Sequence, residues 1–122
     1  MTQVGQLDSF LKDIKRLKKK YHTINDDLSV FVKALLVNLP GGLPDTHRIP
    51  IGQEFKNDPV FKVKSFRSRC LGGGSRSGIR LIYAYDEQTD LVTLIEIYHK
   101  NEKENHDKER LRIFLKSTST KM

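Results

Sequence analysis

Three segments between Phe61 and Lys100 constrain this chain most: Phe61-Lys62-Val63-Lys64, Gly78-Ile79-Arg80-Leu81-Ile82-Tyr83 and Leu94-Ile95-Glu96-Ile97-Tyr98-His99-Lys100. Apolar residues alternate in them with charged or hydrogen-bonding ones, which is the period of a strand whose two sides meet different surroundings. Paired as a sheet, they turn one apolar face to a core and gather cations on the other. Lys62, Lys64, Arg80, Glu96 and Tyr98 share that second face by parity, with Ile95, Ile97 and His99 opposite. A face of this kind suits a polyanion. It is also what an antiparallel sheet with one solvated side displays for solubility.

Ahead of the strands lie two amphipathic helices. Leu7, Phe10, Leu11, Ile14, Leu17 and Tyr21 predict a first helix over about residues 8 to 21, capped by Asp8 or Ser9. Its outer side carries Lys12, Lys15, Arg16, Lys18, Lys19 and Lys20, either a solvated surface or a second contact for a polyanion. Leu28, Phe31, Val32, Leu35, Leu36 and Leu39 predict a second helix, capped by Asn25 or Asp26 and stopped by Pro40-Gly41-Gly42. Two such helices cannot bury both stripes against each other, so they need the sheet. Leu43 to Pro59 holds three prolines and reads as an irregular connection with a short edge strand around His47 to Ile51. Another short strand is expected near Thr2 to Gln6, and Leu91 to Tyr98 is expected at the centre of the sheet. After Asn101 only Leu111, Phe114 and Leu115 offer an apolar grip, so a last helix is expected to dock weakly, ahead of a tail at 117–122. The fold class is α+β: an antiparallel meander with helices mostly on one face.

With 122 residues the chain has the length of one domain, spanning 1–122. The single cysteine, Cys70, excludes an internal disulfide and has no neighbouring base to make it a nucleophile. No apolar run approaches the ~20 residues of a membrane-spanning helix, and Met1-Thr2-Gln3-Val4-Gly5 does not read as a signal peptide, so the cytoplasm is the expected location. The net charge of +7 favours nucleic acid, an acidic protein segment or an anionic surface as partner. The glycine-rich stretch Gly72 to Gly78 lacks the Gly-Lys-Ser/Thr ending of a nucleotide-binding loop and leads into a strand, so it reads as a hairpin connection.

Four pieces in order carry a wider likeness: the basic opening helix Phe10 to Tyr21, the Lys-x-Lys strand Phe61 to Lys64, the Gly-x-Arg-Leu-x-Tyr strand Gly78 to Tyr83, and the ending Ile97 to Lys103. Together the chain resembles the RelE/ParE superfamily of bacterial toxins from type II toxin–antitoxin modules, over nearly its whole length. The resemblance implies a compact sheet with two N-terminal helices packed on it and a C-terminal helix. In the RelE-like branch it implies an endoribonuclease that cuts messenger RNA at the ribosome and so inhibits translation.

Carried over by position, Lys62 and Lys64 match the family's paired lysines and Arg80 the arginine of the next strand. Lys100 falls near a further catalytic arginine and His106 near a stacking tyrosine, while Tyr98-His99 is similar to a Tyr-His ending in related ribonucleases. The implied chemistry is attack by the RNA's own 2′-hydroxyl, without metal or cofactor. A base takes its proton, cations stabilise the phosphate, and an acid protonates the departing 5′-oxygen. Lys64 is the expected base, Lys62 and Arg80 the phosphate holders, and His99 or Lys100 the acid. Lys15, Lys19, Arg67, Tyr98 and His106 are the expected RNA contacts, whereas His22 and His47 fall in turns and carry no role. The resemblance further implies a cognate antitoxin protein in a hetero-oligomer, with mRNA and the ribosome as partners and no membrane. Two other readings stay open: a ParE-like toxin that inhibits gyrase, and a nucleic-acid-binding domain without catalysis.

Overall fold

A computed structural model of the chain describes residues 1–51, 59–72 and 74–119. Part of the Leu43 to Pro59 connection (52–58), Gly73 of the glycine-rich stretch and the end of the expected tail (120–122) lie outside the described residues. The sheet is built around two long β-prone runs, Ile79–Asp86 (β4) and Leu91–His99 (β5), joined by a tight turn in which Asp90 adopts φ 54°. Val60–Val63 (β3) pairs antiparallel with β4, and Thr46–Arg48 (β2) pairs antiparallel with β3. Gln3–Gln6 (β1) runs parallel to β5. The order β1-β5-β4-β3-β2 makes a five-stranded mixed sheet in an α+β fold, with both expected short strands present, each at an edge. The middle strand is β4, not the Leu91 to Tyr98 run. Density of β-branched residues reports burial on both faces, and β5 is buried that way while taking β1 on its outer edge.

Asp8–Lys18 (α1) and Ile24–Val37 (α2) cover one face. Phe10, Ile14, Leu17, Ile24, Phe31 and Leu35 pack there against Val63, Leu81, Tyr83, Leu94 and Ile97. The first helix ends at Lys18, short of Tyr21, because the Lys20 and Tyr21 amides both turn back to the Leu17 carbonyl. Neither Asp8 nor Ser9 caps it; Leu7 holds that position with no side-chain cap. The second helix starts from Thr23, ahead of Asn25 and Asp26, and the Thr23 hydroxyl donates to Asp27 Oδ2 at 2.7 Å. It ends at Val37, before Leu39-Pro40.

The third helix, Lys108–Ser119 (α3), covers the opposite face, so the helices are not gathered on one side. Leu111 and Leu115 pack against Ile49, Val60, Ile82, Ala84 and Ile95. A β-bulge makes this second core: the register passes from Ile82↔Glu96 to Tyr83↔Leu94, leaving Ile95 as the extra residue. Ile95 therefore shares the α3 face with Glu96, against simple alternation. Contrary to the expected weak docking, Arg110 anchors α3. It donates to Asp13 Oδ2 at 2.6 Å, to Asp13 Oδ1 at 3.2 Å and to the Ile95 carbonyl at 3.0 Å. The expected tail from Ser117 is helical as far as Ser119.

Candidate cationic site on the sheet face beneath α3

Cross-strand partners in a sheet point to the same side. Lys62 pairs with Ile82, Ile82 with Glu96, and Arg80 with Tyr98, so these side chains share the face that carries Ile82 and α3. Lys64 follows the end of β3, and its carbonyl accepts a long 3.5 Å hydrogen bond from Arg80 Nη1. His47, read in the sequence as a turn residue, sits in β2 directly opposite Lys62, with its ring 2.7 Å from Asp45 Oδ1. A short strand is expected there from the sequence, but only the pairing of β2 with β3 sets His47 opposite Lys62.

The chain leaving β5 then returns over this face. Glu96, 1% exposed, accepts the Asp107 amide through Oε1 at 2.8 Å and pairs through Oε2 with the Lys103 ammonium. Lys103 Nζ lies 5.1 Å from the Tyr98 ring centroid, a cation over an aromatic face. The fold thereby carries His106 and Lys108 to the neighbourhood of Lys62, 44 and 46 positions away in sequence by subtraction of their numbers. Beside His106 and Lys108 opens a cleft of about 450 Å³, walled by Ile49, Pro50, Leu111 and Arg112.

The electrostatics follow from this crowding. Burial first, then the charges of Lys64 and Arg80, hold the Lys62 ammonium below its ordinary pKa, with Glu96 opposing and Lys108 adding to the depression. Burial and then Lys62 likewise hold His106 below the ordinary histidine value, again against Glu96. Burial and Glu96 push the Tyr98 phenol up, and Arg80 opposes them. Two buried polar atoms of the cluster, Tyr98 Oη and His106 Nδ1, have no hydrogen-bond partner among the described residues. Leaving such a group unsatisfied costs about 1–3 kcal/mol. A third orphan, Thr46 Oγ1, pairs in register with Val63 and so belongs to the other face.

The structure does not bring every expected residue here. His99 pairs with Ile79 on the α1 face, is 7% exposed and stacks on Tyr21 at 5.6 Å. Its Nδ1 accepts the Asn101 amide at 3.0 Å and its Nε2 donates to the Ser77 carbonyl at 3.2 Å, so both ring nitrogens are engaged. Lys100 lies in the turn after β5, where its amide donates to the Gly78 carbonyl. Lys15 and Lys19 are exposed on the outer side of α1, across the sheet from Lys62. Arg67 lines a separate groove with Val30, Phe31, Ala34 and Leu43 along α2. Lys62, Lys64, Arg80, Tyr98 and His106 therefore form one group, and His99, Lys15, Lys19 and Arg67 lie apart from it.

Among the described residues no group of three or more His, Cys, Asp or Glu side chains is placed to hold a metal ion, and no helix is long and apolar enough to cross a membrane. No family model and no curated protein matches the chain. Among solved structures, the conserved hypothetical protein HP0892 from Helicobacter pylori is similar at a TM-score of 0.49. The two are 18% identical over 84% of this chain and 98% of that one. A likeness of that size says nothing about what either chain does.

Proposed function

We propose that the chain is the toxin of a toxin–antitoxin pair and cuts messenger RNA at the ribosome through attack of the RNA's own 2′-hydroxyl. The observation that carries this reading is the convergence of Lys62, Lys64, Arg80 and His106 on one sheet face, beside an open cleft of about 450 Å³. Crowded cations with a titratable imidazole among them suit a phosphodiester, whose charge they offset. Its phosphate oxygens meet Lys62, Lys64 and Arg80, and its 2′-hydroxyl meets the imidazole.

In this reading His106, free of its proton at neutral pH, takes the proton of the 2′-hydroxyl as the oxygen attacks phosphorus. Lys62, Lys64 and Arg80 offset the charge of the pentacoordinate phosphate. Lys62, made a stronger acid by burial and its cationic neighbours, gives a proton to the departing 5′-oxygen. The products are a 2′,3′-cyclic phosphate and a 5′-hydroxyl end, and water exchange resets both groups. The roles thus move from Lys64 to His106 for the base, and from His99 or Lys100 to Lys62 for the acid. The +7 charge fits an antitoxin that covers the site with an acidic segment.

Induced expression should arrest growth and generate new messenger-RNA ends bearing 5′-hydroxyls, with Lys62→Met lowering the cutting rate about 100-fold or more. The rate should rise with pH as His106 deprotonates below 6.5 and fall again as Lys62 deprotonates below 10.5, since both groups are depressed from those values. Intact RNA in arrested cells would sink the proposal, and a DNA-damage response in its place would point to gyrase.

A further inference from the structure

We propose that Glu96 is the positioning residue of this site: its carboxylate clasps the returning 103–107 segment to the sheet and so fixes the His106 imidazole beside Lys62 and Tyr98. The geometry is that of a clasp. One oxygen holds the Asp107 amide at 2.8 Å, the other the Lys103 ammonium, and His106 is the residue next to Asp107. With both oxygens occupied and 1% exposed, Glu96 is closed to substrate, so it acts through its neighbours.

Stability alone does not account for a carboxylate here. Burying an ion costs several kcal/mol before any partner compensates, and a well-packed apolar side chain often serves folding as well or better. Ile82 and Ile95 stand next to Glu96 on this face in just such a core. The bulge at Ile95 keeps Glu96 directed to the same side, where its negative charge meets a crowd of cations. The ionisable groups around it are Lys62 on β3, Arg80 on β4, Tyr98 on β5, Lys103, His106 and Asp107 on the returning segment, and Lys108 and Arg110 on α3. Glu96 opposes the depression of both Lys62 and His106, so it keeps the two proton-transfer groups in a usable range as well as in place.

The proposal rests on the RNA-cleaving reading only for its effect on turnover, and the experiment separates the two. Glu96→Gln keeps the shape and removes the charge. In the folded variant, kcat for cutting a short RNA should fall on the order of 100-fold, the loss typical of a small misplacement of a reacting group. KM should not rise, because the face has gained net positive charge, and both limbs of the pH–rate profile should move to lower pH. Glu96→Asp, which retains the charge but shortens the reach, should restore the limbs and only part of kcat. Independently of any RNA, NMR titration of His106 should show its pKa lowered in Glu96→Gln. Lys103→Ala, at a half-exposed position that removes a cation, should raise it and keeps the test open if Glu96→Gln does not fold. Unmoved His106 titration in the folded variants would overturn the positioning role. Shifted titrations in a protein whose wild type leaves RNA uncut would support the clasp and overturn the RNA-cleaving reading alone.

Discussion

Arg110→Ala tests what holds α3 in place. The guanidinium loses two bonds to Asp13, at 2.6 and 3.2 Å, and one to the Ile95 carbonyl at 3.0 Å. Asp13 stays behind, 3% exposed on α1, with Arg16 at 3.1 Å and the Ile97 amide at 3.2 Å. Removing one partner of a buried pair costs about 3–5 kcal/mol, because the other charge is left desolvated. Arg16 is nearly half exposed and the amide still donates, so the lower end, about 3 kcal/mol, is the expected loss. With a urea m-value of about 2 kcal/mol/M, the midpoint should fall by about 1.5 M at unchanged m. The double variant Asp13→Asn/Arg110→Met should lose less than the sum of its single changes by at least about 1.5 kcal/mol, the sign of direct coupling. A loss under about 1 kcal/mol for Arg110→Ala would put the pair in the range of exposed ion pairs and refute the anchoring argument.

Two other outcomes follow from single positions. Gly78 has φ +87°, and a Cβ there would stand 2.8 Å from His99 Nε2, so Gly78→Ala should displace the imidazole from Ser77 and cost about 2 kcal/mol, read as a lowered thermal midpoint. A melting curve like that of the wild type would remove His99 from its structural role. Burial pushes the Tyr83 phenol up to about 12, so it should ionise last in an absorbance titration. The unfolded chain releases that proton near pH 10, so Tyr83 should also make stability fall as pH rises from about 10 to 12. Substituting Phe at position 83 should remove that part of the pH dependence, and an unchanged dependence would contradict the burial argument.

The helices and long strands were legible because their signals are local. The stripe Phe10, Ile14, Leu17 and the alternation through Arg80, Ile82 and Ala84 each lie within one element, and both recur as buried or shared faces. Helix ends were read less well. Leu7, not Asp8 or Ser9, holds the cap position, because β1 delivers the Leu7 amide to the Leu94 carbonyl, a contact 87 positions away by subtraction. The docking of α3 was underestimated for the same reason. Its apolar residues are few, and its anchor is a charge pair between Asp13 and Arg110, which lie at opposite ends of the chain.

By itself, then, the sequence determined an α+β chain whose β-strands present Lys62, Arg80 and Tyr98 on one surface, since parity within strands is set by backbone geometry. Tertiary structure decided what stands over that surface. The bulge at Ile95 and the Glu96 clasp bring His106 to Lys62, while pairing with Ile79 turns His99 to the other side. Those outcomes depend on register and on contacts between distant segments, and neither has a period that a linear pattern can display.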